Sequence, residues 1–416
     1  MVLNYVWIFF FVCGFLIALY KLIFLGDVEI FKTLVDGLFK RAGGSVMEVG
    51  FPLAGTMIFF LGIMKIAEKA GGIQWLAKIL NPFMRRLFPG VPDQHPAMGE
   101  MVMNFSANML GLDNAATPFG LKAMKSLEEL HPQKGTATNA QIMFLVLHTS
   151  GLTLIPLSII ALRSTGGELY QSVEPASIFI PCVLATVSAT IASILVVGLK
   201  QKLKFDRVLF LSLFSATVCV SGILWLIHSL PDDQKQQVSK IYGNLILLGI
   251  IVAIIAGGIR KKINCFDAFI EGAKEGFEVI LKILPYLVGM LVSIQIFRDS
   301  GAFEYIIAGA KGLFIWLGVN TDFVDALPVA IMKPFSGSGA RGLLVDVYSN
   351  PALGPDSFAG KLASIFQGSA DTTFYIIALY FGSVGIKNIR YSIWAGLLAD
   401  CLGVIAAIII GYIFFH

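Results

Sequence analysis

Residues 241–259 read IYGNLILLGIIVAIIAGGI and contain no charged side chain. Because the hydrocarbon core of a bilayer is about 30 Å thick, a helix needs roughly 20 apolar residues to cross it. Similar apolar runs occupy residues 3–25, 49–67, 176–199, 208–230, 279–297 and 391–415. The 416 residues are 56% hydrophobic and only 14% charged, whereas soluble domains carry about a quarter charged residues. The sequence therefore predicts an all-α polytopic membrane protein.

The charge and the cysteine content exclude several classes of protein. The net charge of +4 is small and its basic residues are scattered, so nucleic acid is not an expected partner. The five cysteines lie far apart, with no CxxC pair and no Cys/His cluster: Cys13, Cys182, Cys219, Cys265 and Cys401. This spacing favours buried thiols over disulfides or a metal centre. We therefore expect no metal ion and no cofactor.

Four further segments are apolar but interrupted by Gly, Pro or clusters of Ser, Thr and Asn. They are residues 96–120, 141–163, 326–347 and 361–385. Non-helical backbone at membrane depth is tolerated only where protein or a water-filled cavity satisfies its N–H and C=O groups. We therefore predict that these segments form broken helices or re-entrant hairpins.

A weak internal repeat divides the chain near residue 200. Residues 48–75 align without gaps on residues 278–305, and a second alignment pairs Ser150 with Ser369 and Thr153 with Thr372. Few positions are identical, so the shared order of elements is the main reason to favour duplication over chance. In transporters, interrupted segments at corresponding positions of two halves indicate the binding site. The pattern leaves open whether the halves are inverted or parallel.

Longer motifs resemble known families. Residues 104–124, NFSANMLGLDNAATPFGLKAM, and 147–163, LHTSGLTLIPLSIIALR, resemble the spore maturation protein A family. Residues 332–346, MKPFSGSGARGLLVD, and 354–391 resemble the spore maturation protein B family. Both families are similar to the nucleoside-recognition, or Gate, proteins. The resemblance implies an A-like Gate half at 1–200 fused to a B-like Gate half at 201–416, in a transporter-like protein of the bacterial inner membrane.

Polar side chains cluster within the interrupted segments, where an ordinary span would carry leucine. The clusters are Asn104, Ser106, Asn108, Asp113, Asn114 and Thr117 in the first half, and Gln367, Ser369, Asp371, Thr372 and Thr373 in the second. His148, Ser150 and Thr153 lie in another interrupted segment of the first half. Such groups can serve helix packing alone, but their density favours a binding site for a substrate or an ion. Because His148 and Ser150 point to different faces of a helix, we predict no catalytic residue.

Two charged residues of these segments have specific predicted roles. Arg341, beside the turn that contains Ser336 and Ser338, is predicted to hold an anionic group of the substrate. The alternatives are a glycine-rich helix break and a pair between Arg341 and Asp346. Asp371 is predicted to couple transport to an ion gradient, because a carboxylate at membrane depth is costly unless it is paired, hydrated or protonated. The alternative is that Asp371 caps a half-helix.

These observations favour a transporter of a small polar or anionic organic solute, with its site between two broken-helix repeats. The expected partners are that solute, a coupling proton or sodium ion, the lipid bilayer and a second copy of the chain in a homo-oligomer. Two alternatives stay open: an uncoupled channel or exporter-like gate, and a structural scaffold for envelope or spore maturation. We find no catalytic constellation, so we do not expect an enzyme.

The distribution of basic residues predicts the topology of the middle of the chain. Basic clusters at residues 200–207 and 260–262 belong in the cytoplasm by the positive-inside rule, which places the loop 231–240 outside. Single cysteines introduced at Gln201 and Gln236 in a cysteine-free chain should therefore differ in labelling by an impermeant thiol reagent added to intact cells. We expect labelling at position 236 and protection at position 201; the reverse pattern would contradict this topology.

Overall fold

A computed structural model describes the chain over residues 2–92, 94–130, 134–165 and 171–416. Within these residues the regular secondary structure is helical, and strand pairing is limited to one isolated bridge between Thr136 and Asn388. The prediction of an all-α protein is confirmed for the described residues.

The helices follow one another through turns and loops. In the first part of the chain they are α1 (Val2–Leu25), α2 (Ile30–Gly44), α3 (Phe51–Lys69), α4 (Gly72–Leu87), α5 (Pro96–Met109), α6 (Asp113–Glu129), α7 (Asn139–Thr149), α8 (Leu157–Arg163) and α9 (Phe179–Lys200). They continue as α10 (Arg207–His228), α11 (Asp232–Arg260), α12 (Cys265–Asp299), α13 (Ala302–Trp316), α14 (Leu327–Met332), α15 (Gly337–Ser349), α16 (Phe358–Gly368), α17 (Thr373–Ser383) and α18 (Ser392–Phe415). A π-helical turn, Ser45–Gly50, joins α2 to α3.

Among the described residues, seven helical stretches are long and apolar enough to cross a membrane. They are Asn4–Leu25, Ile30–Lys69, Pro175–Lys200, Arg207–His228, Gln237–Arg260, Cys265–Asp299 and Ser392–Phe415. These stretches correspond to the seven apolar runs of the sequence. Large apolar side chains such as Trp225 of α10 and Leu245 of α11 are exposed, as expected for residues that face lipid. The chain is a multi-pass membrane protein.

All four interrupted segments are broken helices, as the sequence predicts. Three residues separate α5 from α6, and four residues separate α14 from α15. Residues 150–156 separate α7 from α8, and residues 369–372 separate α16 from α17. Gly151 follows the end of α7 with a φ of +62°, the left-handed conformation in which a glycine commonly ends a helix.

The chain forms two compact units, each assembled from three separate stretches. Unit 1 comprises Met1–Phe60, Ala161–Pro175 and Ala273–Gln367. Its apolar contacts include a cluster in which Leu34 of α2 packs with Val292 and Ile296 of α12. Unit 1 thus contains α1 and α2 together with most of α12 and the helices α13 to α16.

Unit 2 comprises Leu61–Ile160, Ala176–Gly272 and Gly368–His416. A buried apolar core joins α4, α5 and α7 to α17, through side chains such as Met84, Met101, Phe144 and Phe381. The boundary near residue 200 concerns the sequence repeat and stays a prediction. The two compact units divide the chain differently, because each of them contains stretches from both sides of residue 200.

Arg163, the last residue of α8, organises the polar interior of unit 1. Its side chain is fully buried, at 0% exposure. The guanidinium donates hydrogen bonds to the carbonyls of Pro175 and Pro355, the hydroxyls of Ser172 and Ser364, and the carboxylate of Asp356. A buried cation is tolerated when it is paired and its donors are satisfied. Arg163 is therefore a structural clamp for the loop that precedes α16.

The clamp predicts a large loss of stability on removal of the guanidinium. Arg163→Met keeps an unbranched side chain of similar length but leaves Asp356 and the carbonyl of Pro355 without this donor, which should cost about 3–5 kcal/mol. Arg86→Met is the control, since its ion pair with Asp206 is half exposed and should contribute less than about 1 kcal/mol. Denaturant titrations of both variants in detergent measure the difference; equal losses would show that Arg163 is not a clamp.

Candidate functional site

Two helix breaks of unit 2 contact each other through their backbones. The N–H of Asp371, in the break before α17, donates to the carbonyl oxygen of Thr149 at the end of α7, over 2.9 Å. Gly151 approaches Ala370 so closely that a Cβ atom added to it would lie 3.0 Å from the Ala370 Cα. A side chain at position 151 would therefore push the two breaks apart.

His148 and Asp371 form a hydrogen-bonded pair where the breaks meet. Nε2 of His148 lies 3.1 Å from Oδ2 of Asp371, and the imidazole side chain is 6% exposed whereas the carboxylate side chain is 43% exposed. The other oxygen, Oδ1, accepts the N–H of Thr372 at 2.7 Å. Asp371 thus contacts both a buried imidazole and the backbone at the start of α17. The bond to Thr372 precedes the first helical residue, Thr373, so it orders the break and is not itself a cap bond.

The opposite side of the imidazole is surrounded by amide and phenol groups. Nδ1 of His148 lies 2.9 Å from Nδ2 of Asn108 and 3.1 Å from the hydroxyl of Tyr380. Since the Asn108 amide nitrogen can only donate, we assign Nδ1 as the acceptor and Nε2 as the nitrogen that carries the proton. Nδ2 of Asn104 completes the network with donations to Tyr380 at 3.2 Å and to the carbonyl of Ala116 at 2.8 Å.

Hydroxyl groups of α9 line the first of the two breaks. The hydroxyl of Thr190 lies 3.0 Å from the hydroxyl of Ser150, and the hydroxyl of Thr186 donates to the carbonyl of Thr153 at 3.4 Å. The hydroxyl of Thr153 turns back to the carbonyl of Gly151 at 2.9 Å. Ser150 and Thr153 therefore hold the break against α9.

The remaining predicted residues of unit 2 lie around this centre or serve packing. Ser106 is fully buried and donates to the carbonyl of Val102 one turn earlier in α5, which is a local helix bond. Ser369 and Thr373 are buried in the second break and at the start of α17. Thr117 lies on α6. The side chains of Asp113 and Asn114, predicted for the same cluster, lie outside the described residues.

The turn before α15 belongs to unit 1 and has its own polar contacts. Oγ of Ser336 accepts the N–H of Gly339 at 2.9 Å and lies 3.2 Å from Oγ of Ser338, so Ser336 caps α15. Nε2 of Gln367 donates to the carbonyl of Gly337 at 3.3 Å. Arg341 is half-buried on α15. Anion binding by this turn stays a prediction.

Asp346 has a partner that the sequence did not indicate. Its carboxylate accepts hydrogen bonds from Nε and Nη2 of Arg298, the first over 3.1 Å. Arg298 lies near the end of α12, and its position 48 residues earlier in the chain hid this pair from sequence reasoning. Asp346 therefore forms a structural pair at the end of a span, with Arg298.

Sequence reasoning missed several polar residues of unit 2, among them Tyr380 and Asp400. Tyr380 lies on α17, in an apolar stretch where a tyrosine is indistinguishable from an ordinary core aromatic, and its ring stacks on Phe144 at 5.5 Å. Asp400 lies inside the apolar run of α18 and accepts the hydroxyl hydrogen of Thr373 at 2.7 Å. A carboxylate within a span is itself a signal that could have been used.

The broken helices and the polar centre at their contact define a polytopic α-helical membrane protein with an internal polar site. The chain belongs to the Gate family, described as nucleoside recognition, whose sequence profile matches residues 50–165 and 280–387. The match occurs twice, in agreement with two repeats.

Two proteins of Bacillus subtilis (strain 168) are similar to large parts of the chain. Spore maturation protein B is 46% identical over 171 residues, which cover 40% of this chain and 93% of that protein. Spore maturation protein A is 39% identical over 161 residues, which cover 39% of this chain and 80% of that protein. No solved structure matches the chain.

The network around His148 predicts a specific role for the Tyr380 hydroxyl. Tyr380→Phe keeps the aromatic ring but removes a buried partner of His148 and Asn104, which should lower the free energy of unfolding by about 0.5–1.5 kcal/mol. Tyr375→Phe, on the same helix but 58% exposed, should change it little. Denaturant unfolding of both variants measures the effect. A loss in Tyr375→Phe as large as that in Tyr380→Phe would contradict the role.

Proposed function

We propose that the chain transports a small polar organic solute across the membrane, and that the solute binds where the breaks of unit 2 meet. One observation carries the proposal: a 43% exposed carboxylate, Asp371, is paired with a buried imidazole in a membrane protein. Ionisable groups at membrane depth are costly to keep and are generally functional.

The chemistry of the site suits a solute with several hydrogen-bonding groups. Asp371 offers an accessible acceptor to such a solute, and the network of Asn104, Asn108 and Tyr380 holds the buried His148 in one orientation. Pre-organised groups of this kind favour binding, since little side-chain freedom is lost. The family is described as nucleoside recognition, and a nucleoside carries hydroxyls and base edges that match these groups. Nucleosides are therefore the first solutes to test.

The pair also provides a way to link transport to an ion gradient. A change in the charge of Asp371 would alter the attraction of the site for a solute, which is the coupling role predicted for Asp371.

The proposal places the protein in the cytoplasmic membrane of a bacterium, as an α-helical multi-pass protein whose relatives come from Bacillus subtilis. It assigns no catalytic residue, so we propose a transporter and not an enzyme. An uncoupled channel would give flux that rises linearly with the solute gradient. A scaffold would give no flux at all.

The test is uptake into liposomes that contain the purified full-length chain. Uridine is the first probe, followed by other nucleosides, amino acids, short peptides and aromatic dicarboxylates. We expect saturable uptake of at least one probe, driven by a proton or sodium gradient. Asp371→Asn should keep the fold but lower the gradient-driven rate at least about tenfold, because an amide carries no charge.

Asp206→Asn is the matched control for the loss of a carboxylate. Asp206 caps α10 by accepting the N–H of Leu209 at 3.0 Å, and asparagine caps a helix equally well. This control should transport at the wild-type rate. Gradient-driven uptake at the wild-type rate by Asp371→Asn would remove Asp371 from the coupling role, and absence of uptake of every probe would overturn transport.

A further inference from the structure

Three segments of unit 2 meet at one end of its helices. The N–H of Lys387 donates to the carbonyl oxygen of Gly135 over 3.0 Å. Nε2 of Gln201, directly after α9, donates to the carbonyl of Asn139, at the start of α7, over 2.9 Å. These bonds bring together three segments that are distant in the chain, which we call the basic rim: residues 134–139, 200–207 and 385–394.

The basic rim carries positive charge that its own carboxylates do not balance. Its basic residues are Lys134, Lys200, Lys202, Lys204, Arg207, Lys387 and Arg390. Its single acidic residue, Asp206, pairs at 3.0 Å with Arg86 of α4, which lies outside the rim. Among the described residues, no carboxylate forms an ion pair with any of the seven basic residues. An anionic partner would therefore be attracted to this end of the unit.

Two of these cations lie beside the same aromatic ring. Nζ of Lys200 and Cζ of Arg390 are each 5.2 Å from the centre of the Tyr391 ring, and Nζ of Lys200 is also 5.1 Å from the ring centre of Trp394. Nη1 of Arg390 donates to the carbonyl of Ala137 at 3.0 Å, which restrains the guanidinium. The rim thus presents two positioned cations to one anionic group, at little cost in side-chain freedom.

Apolar side chains are exposed directly beside these cations. Leu199 precedes Lys200 at the end of the span Pro175–Lys200 and is exposed. Trp394 lies at the start of the span Ser392–Phe415 and is also exposed. Trp and Tyr are enriched at the level where a span meets the lipid headgroups, so we place the rim at that level. A ligand that contacts both the cations and these side chains has an anionic head and an apolar tail.

The neighbouring helix α4 has the pattern of a helix that lies along the membrane surface. Trp75 and Ile79 are exposed apolar side chains, and Lys78, between them in the chain, is an exposed cation. A helix with exposed apolar and basic side chains lies among the lipid headgroups. Because the pair between Arg86 and Asp206 holds α4 beside the rim, the two features indicate the same level of the membrane.

We propose that the basic rim binds the phosphate of an anionic phospholipid, with Lys200 and Arg390 on the headgroup and Leu199 and Trp394 against the acyl chains. Ammonium and guanidinium groups form strong charge-assisted hydrogen bonds with phosphate oxygens. The positive-inside rule places this end of the unit in the cytoplasm, and basic pockets between spans on that side bind anionic headgroups. A zwitterionic lipid fits less well, since its own cation meets the remaining lysines of the rim.

The test is the thermal unfolding of the purified full-length protein in detergent micelles with added dioleoyl phosphatidylglycerol or dioleoyl phosphatidylcholine. The two lipids have the same acyl chains, so a difference between them reports the headgroup. Because a ligand that binds only the folded state stabilises it, phosphatidylglycerol should raise the unfolding temperature saturably and more than phosphatidylcholine does. Added sodium chloride should weaken this effect, since salt screens exposed charges.

The decisive variant combines Lys200→Gln with Arg390→Gln. Each basic residue beside an anionic lipid contributes a factor of roughly five to the affinity, so this variant should raise the half-saturating fraction of phosphatidylglycerol at least about tenfold. Lys261→Gln with Lys262→Gln is the matched control. It removes the same charge from exposed residues of unit 2 outside the rim and should keep the wild-type response.

Lys200→Gln alone covers the case in which loss of the Arg390 hydrogen bond impairs folding. Lys200 is exposed and its described contacts are two ring faces, so this variant should fold as the wild type does. It should raise the half-saturating fraction of phosphatidylglycerol roughly fivefold.

Four results would overturn the lipid site. Equal effects of the two lipids would remove the headgroup from the interaction, and equal responses of the rim variant and its control would indicate general attraction to negative charge. Saturation by glycerol 3-phosphate, which has no acyl chains, would indicate a soluble phosphate ligand. Saturation by polyglutamate without an effect of phosphatidylglycerol would indicate an acidic protein partner. None of these measurements involves solute uptake, so failure of the lipid site can be distinguished from failure of the transport proposal.

Discussion

The polar centre of unit 2 depends on one requirement: a helix that breaks inside the protein must find partners for the backbone groups it releases. Each unsatisfied group in hydrocarbon costs several kcal/mol. The N–H of Asp371 meets this requirement by bonding to the carbonyl of Thr149, so one break supplies the partner of the other. The two breaks are then fixed in contact, and the polar side chains beside them are brought together as a consequence.

The side chains at this contact differ sharply in their exposure. His148 is held by Asn108 and Tyr380 within an apolar surround that includes the stacked ring of Phe144. Its position is therefore set by several contacts at once, which is the arrangement expected of a pre-organised site. Asp371 is the exposed member of the group. A rigid buried base beside an accessible carboxylate gives the site both a fixed geometry and an accessible charge.

Other charges of the chain show what structural pairing looks like in the same protein. Arg163 is fully buried, with five hydrogen-bond partners that come from the loops and helix around it. Asp346 is buried and bound through two atoms of Arg298. Both groups have their hydrogen bonds made by side chains and carbonyls of unit 1. Asp371 differs from Asp346 by its exposure, at 43% against 6% of the side chain.

The sequence by itself determined the class of fold, the spans and the places where helices break. These depend on local properties: about 20 consecutive apolar residues, or a glycine, proline or polar cluster within such a run. It also indicated Asn104, Asn108, His148 and Asp371 as polar residues within apolar segments, where an unpaired polar group is energetically costly. Which of them meet was decided by the tertiary structure, because residues 148 and 371 are brought together by a backbone contact between distant breaks. Tyr380 could be found only there, since an aromatic residue in an apolar helix has no local feature that separates a network member from a packing residue.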